Sequence, residues 1–90
     1  MNTGIEPRMA SGCALQLLER SIQFGHGRLA VVRLSIAAQA GADIPEPQWR
    51  YCRGVADACA DHTLQALMAR AERAARTRAT AAAPAVAAGA

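Results

Sequence analysis

Gly41-Ala42-Asp43-Ile44-Pro45-Glu46-Pro47 interrupts a chain otherwise rich in helix formers, and it divides everything around it. Glycine suits the left-handed C′ position that ends a helix. Asp43 is a capping residue type, and Glu46, three positions on, is its capping-box partner. Pro45 then falls in a first turn, where its missing N–H costs nothing, and Pro47 lets the start slide to Glu46. The stretch reads as a turn over residues 41–46, between a helix over about 11–40 and a second over about 46–78.

Upstream, the hydroxyl of Ser11 can cap an orphan N–H of the first helix. Leu15, Leu18, Ile22, Gly25, Leu29, Val32 and Ile36 then follow in alternating steps of three and four. That is a heptad seam. Gly25-His26-Gly27 sits inside it, and each glycine costs a helix interior about 1 kcal/mol against alanine. A break is open there, but the seam resumes in phase, which favours one long helix. Residues 1–10 show no periodicity and read as a loose lead-in.

Downstream, Trp49, Cys52, Val55, Ala56, Cys59, Thr63, Ala66 and Leu67 share one face of a 100° wheel. Arg50, Arg53, Asp57, Asp61, Gln65 and Glu72 share the opposite one. Small side chains on the buried face allow close approach to the larger seam of the first helix. The expected fold is all-α, an antiparallel two-helix hairpin of coiled-coil type. Its seam holds Leu15, Leu18, Ile22, Leu29, Val32 and Ile36 against Cys52, Val55, Cys59 and Ala66. Residues 79–90 are alanine broken by Thr80, Pro84, Val86 and Gly89, a low-complexity tail expected to be disordered.

Composition agrees with this division. Of 90 residues, 23 are alanine and three aromatic, too few β-branched and aromatic side chains for a sheet. An apolar fraction of 52% is too high for a wholly disordered chain. All ten basic residues are arginine, against seven acidic, for a net charge of +3. Arg28 and Arg33 interrupt the longest apolar run, so no membrane helix is expected. The N-terminus lacks a secretory pattern. Cys13, Cys52 and Cys59 are an odd set at non-framework spacing, which points to reduced thiols and a cytoplasmic setting.

One hairpin cannot bury every apolar residue. Leu17, Phe24 and Val31 recur at seven-residue spacing more than 100° from the seam, with Cys13 nearby, and Leu64 and Met68 face the polar flank of the second helix. A helix apolar on two sides is normally buried between neighbours, and so small a domain commonly needs a partner. Leu17, Phe24, Val31, Trp49, Leu64 and Met68 are therefore the expected partner-binding residues. Self-association, or folding around Gly25, would satisfy the same physics.

No active site emerges. Cys52 and Cys59 stand two helical turns apart, about 10 Å, so with His62 they cannot close a metal site without outside ligands. No metal or other cofactor is expected. Nothing supplies an oxyanion hole or a substrate cleft for a Cys–His nucleophile, and Gly-His-Gly matches no phosphate loop. The chain reads as no enzyme. The run Arg70, Arg73, Arg76, Arg78 could track phosphates, so a homodimeric hairpin binding RNA or DNA is the second reading. The same cations also complement a helix C-terminus.

With Pro47-Gln48-Trp49 and Tyr51 opening the second helix, residues of about 13–70 resemble a family of short helical hairpins. These are the co-chaperones of type III secretion needle subunits, the YscE, PscE, SsaE and EscE type. The resemblance implies a bacterial cytoplasmic virulence factor that binds a TPR-type chaperone. Together the two would hold a helical needle subunit monomeric.

Overall fold

The computed structural model describes residues 7–82, which form four helices and no strand. They are α1 (Pro7–Gln23), α2 (Gly27–Gln39), α3 (Glu46–Cys59) and α4 (His62–Ala82). The chain is all-α as expected, but the two-helix hairpin is not what forms. Each of the two expected long helices is broken once and packs back on itself.

The first break lies at Gly25-His26. The N–H of Gly25 donates to the Ile22 carbonyl at 3.0 Å and that of His26 to the Ser21 carbonyl at 2.9 Å. These are the two bonds of a Schellman motif. Gly25 adopts φ +73°, a left-handed conformation open to glycine without steric cost. The glycine read as a tolerated interruption is therefore a terminator. α2 restarts two residues later, with Gly27 packed so closely on α3 that an added Cβ would meet Val55 Cγ2 at 3.0 Å.

The second break carries no glycine. Ala60 takes φ 51°, ψ 40° after α3, a conformation that costs an L-residue about 1–2 kcal/mol. Asp61 then caps α4: its Oδ1 accepts from the N–H groups of Thr63 (2.8 Å) and Leu64 (3.4 Å). Those donors would otherwise be orphans of the first turn.

At the central turn Gly41 ends α2 through a second Schellman pair, Gly41 N–H to Ala38 O at 3.1 Å and Ala42 N–H to Ala37 O at 2.9 Å. α3 starts at Glu46 with Pro45 as its N-cap, so Asp43 does not cap it. Asp43 is instead exposed, its carboxylate 3.9 Å from Arg78. α1 begins at Pro7, which places Ser11 inside the helix rather than at its cap and makes residues 7–10 of the expected lead-in helical. α4 runs to Ala82, so the start of the expected tail is helical too. The remainder of the expected lead-in and tail, residues 1–6 and 83–90, lies outside the described residues.

α2 is the central element and touches the other three helices, whereas α1 and α4 do not meet. Its buried positions are small or branched: Ala30, Val31, Leu34, Ser35, Ala37 and Ala38. Small side chains let neighbours pack on several sides of one short helix. Around them gather Leu18 from α1, Cys52 and Ala56 from α3, and Leu64, Met68 and Ala71 from α4. The Ser35 hydroxyl, buried among them, accepts a hydrogen bond from Gln39 Nε2 at 2.9 Å, which offsets its desolvation.

Candidate protein-docking surface

The two breaks decide which apolar side chains reach solvent. Before each break most of the expected seam points inward: Leu18 and Cys52 are fully buried, and Leu15, Ile22 and Val55 pack against the core, as does Trp49 beside them. The exception is Cys59, exposed as the last residue of α3. After each break it does not. Leu29 and Ile36 are exposed and Val32 is half-buried, while Ala30, Val31 and Leu34 fill the core instead. Likewise, after the second break Thr63 and Ala66 are exposed and Leu67 only half-buried, and Leu64, Met68 and Ala71 are buried. A turn outside the α-helical conformation resets the 100° phase, so a pattern carried across it assigns the wrong face.

This corrects half of the expected binding set. Val31, Leu64 and Met68 are core residues, at 0%, 4% and 5% exposure, because the resets turn them inward. Trp49 is half-buried. Leu17 and Phe24 remain outside, at 43% and 66% exposure. Leu29 and Ile36 join them at 41% and 53%. Among the described residues the exposed large hydrophobics are these four, and all lie on α1, at its C-terminal end or on α2. Sequence reading missed Leu29 and Ile36 because they continue the seam so regularly. Only a correct break at Gly25 would have found them.

Two grooves with charged side chains in their lining lie elsewhere. Between α3 and α4 a groove of about 480 Å³ is lined by Glu46, Trp49, Arg53, Glu72 and Arg76. Its charges are largely spent within it. Arg53 donates to Glu72 (3.1 Å) and Glu46 (3.3 Å), and its guanidinium carbon lies 5.7 Å from the Trp49 ring centre, within cation–π range. Between α2 and α4 a groove of about 350 Å³ gathers Arg70, Arg73 and Arg78 with Gln39 and Thr77. This is where most of the expected basic run converges; Arg76 lines the other groove.

The thiols are separated. Cys52 is buried, and burial pushes its pKa up to about 11, away from nucleophilic or ligating use at neutral pH. Cys13 and Cys59 are exposed, and none of the three is in a disulfide. His62 is exposed at the start of α4. Among the described residues no group of three or more His, Cys, Asp or Glu side chains could hold a metal ion, and no helix is long and apolar enough to cross a membrane. No protein-family model, no curated protein and no solved structure matches this chain.

Proposed function

We propose that this chain is a non-catalytic protein-binding module of the bacterial cytoplasm, and that its partners belong to a type III secretion system. In that role it is a co-chaperone that holds a helical needle subunit monomeric together with a TPR-type chaperone. One observation supports protein binding above other classes: Leu17, Phe24, Leu29 and Ile36 stand exposed on α1, its end and α2, with none like them on α3 or α4. Segregated apolar exposure of this kind marks interaction surfaces. The secretion assignment rests on the resemblance carried by Pro47-Gln48-Trp49 and Tyr51. Co-purification from the native cell tests it. A TPR protein and a short helical secreted subunit are the expected companions, and recovery of nucleic acid alone overturns the reading.

The alternative, a homodimeric module binding RNA or DNA, draws on the groove that Arg70, Arg73 and Arg78 share with Gln39 and Thr77. Arg70→Ala with Arg73→Ala would then weaken binding to an oligonucleotide and flatten its salt dependence. Oligonucleotide binding that is absent in the parent, or unchanged in the variant, removes this alternative.

A further inference from the structure

The exposed apolar side chains are arranged, and the arrangement carries charge. On α1 and at its end, Cys13, Leu17, Arg20 and Phe24 are all exposed at steps of four, three and four. On α2 and its C-cap, Leu29, Arg33, Ile36 and Ala40 repeat the same steps, exposed except for the half-buried Arg33. This is the spacing of a coiled-coil seam, turned toward solvent on both helices, with one arginine in each, third in the α1 stripe and second in the α2 stripe. The α1 stripe borders a shallow depression of about 580 Å³ lined by Cys13, Gln16, Leu17, Glu19, Arg20 and Gln23.

Charge selects the occupant. Residues 7–40 contain four arginines, Arg8, Arg20, Arg28 and Arg33, and one carboxylate, Glu19. Arg28 is engaged by Asp61, and Glu19 accepts from Gln48 Nε2 at 3.5 Å. No carboxylate among the described residues pairs with Arg20 or Arg33. A second copy presenting this same face would bring Arg20 and Arg33 of each copy into an apolar contact with one carboxylate, Glu19, beside them, so that like charge predominates there. A partner with carboxylates beside its own apolar seam would neutralise both.

We propose that the outward stripes of α1 and α2 dock an amphipathic helix from another protein, one whose apolar seam is flanked by glutamate or aspartate. Leu17, Phe24, Leu29 and Ile36 supply the apolar contact, and Arg20 and Arg33 read the partner's charge, a helix-on-helix form of recognition. This rests on the protein-binding reading above but not on the secretion assignment.

The test uses the full chain and two synthetic helical peptides of about three heptads, identical in a Leu/Ile seam and flanked by Glu in one and by Lys in the other. In fluorescence anisotropy the Glu-flanked peptide binds at least about tenfold more tightly, and the margin narrows as salt is raised. Leu17→Glu with Phe24→Glu abolishes that binding. Arg20→Glu with Arg33→Glu reverses the preference, which a general loss of folding cannot do. Equal affinity for the two peptides, preference for the Lys-flanked one, or no binding overturns the proposal. So does a dimer in sedimentation that Leu17→Glu with Phe24→Glu dissociates, because the occupant would then be a second copy. Loss of the peptide preference while secretion partners still co-purify faults this surface alone, and the converse result faults the secretion assignment alone.

Discussion

Arg28 and Asp61 meet in the folded chain, guanidinium Nη2 to carboxylate Oδ2, although 33 residues separate them. Each stands just beyond the break in its half of the chain, Arg28 after Gly25-His26 and Asp61 after Ala60. The contact therefore ties together the two points at which the expected long helices divide. Asp61 serves both sides, since its other oxygen caps α4 through Thr63 and Leu64.

That double role gives Asp61 a pH signature. Its carboxyl is held below the ordinary range, first by the Thr63 N–H, with the Leu64 N–H and Arg28 adding to it. A lowered folded-state value means the stabilisation is present above the unfolded carboxyl value, about pH 4, and is lost as pH falls through the folded one. Asp61→Asn keeps a capping oxygen but not the charge. Melting followed by circular dichroism from pH 6 to pH 2 should show a shallower acid loss in the variant. Identical acid limbs would detach Asp61 from it.

The two breaks should respond oppositely to exchange of glycine and alanine. Gly25→Ala places a Cβ at φ +73° and should destabilise the fold by about 1–2 kcal/mol. Ala60→Gly relieves the same strain at φ 51° and should stabilise by about 0.5–1 kcal/mol after the added unfolded-state entropy of glycine. Urea titration of both variants reads the signs directly.

Gly27 tests the packing of α2 on α3. A Cβ there would lie 3.0 and 3.1 Å from the two Val55 methyls and 3.6 Å from the Tyr51 hydroxyl. Val55 is β-branched and stiff, so Gly27→Ala should destabilise by about 1–2 kcal/mol through overpacking. In a Val55→Ala background the same substitution should be close to neutral. A double-mutant cycle with no coupling between the two sites would contradict this contact.

The three thiols should separate by reactivity. Under native conditions Cys13 and Cys59 should react with a thiol reagent promptly, and Cys52 at least about a hundredfold more slowly, limited by opening of the core. Because the folded Cys52 value is raised, its contribution is complete below the unfolded thiol value and disappears as pH climbs from about 9 to about 11. Cys52→Ala should flatten that alkaline limb while lowering stability at neutral pH by about 1 kcal/mol. Prompt labelling of all three thiols would place Cys52 outside the core.

Much of the local structure was legible because it depends on near neighbours. Gly41 ends a helix and Glu46 begins one, as their residue types require, and the seam residues ahead of each break, Leu18 and Cys52 among them, face inward except for Cys59 at the end of α3. What failed was the face assigned after each break. The regular spacing places Leu29, Ile36 and Ala66 inside, and Val31, Leu64 and Met68 outside, because it runs through positions where the backbone leaves the helix. At Gly25 a signal existed and was outweighed by the apparent continuity of the heptad. At Ala60 the left-handed residue is an ordinary helix former, and only Asp61, a strong cap, marked the place.

The amino-acid sequence alone determined an all-α chain, since alanine, leucine and arginine favour helix and too few β-branched and aromatic side chains remain for a sheet. It also determined the central turn, through the backbone preferences of Gly41, Pro45 and Pro47. Tertiary structure decided that the long helices divide at Gly25-His26 and Ala60-Asp61, because folding each back lets Leu18, Leu34, Cys52, Leu64 and Met68 share one core around α2. It decided the exposed surface by the same step. Each break resets the helical phase, and with that reset Leu29 and Ile36 turned outward beside Arg33 while Val31 turned in.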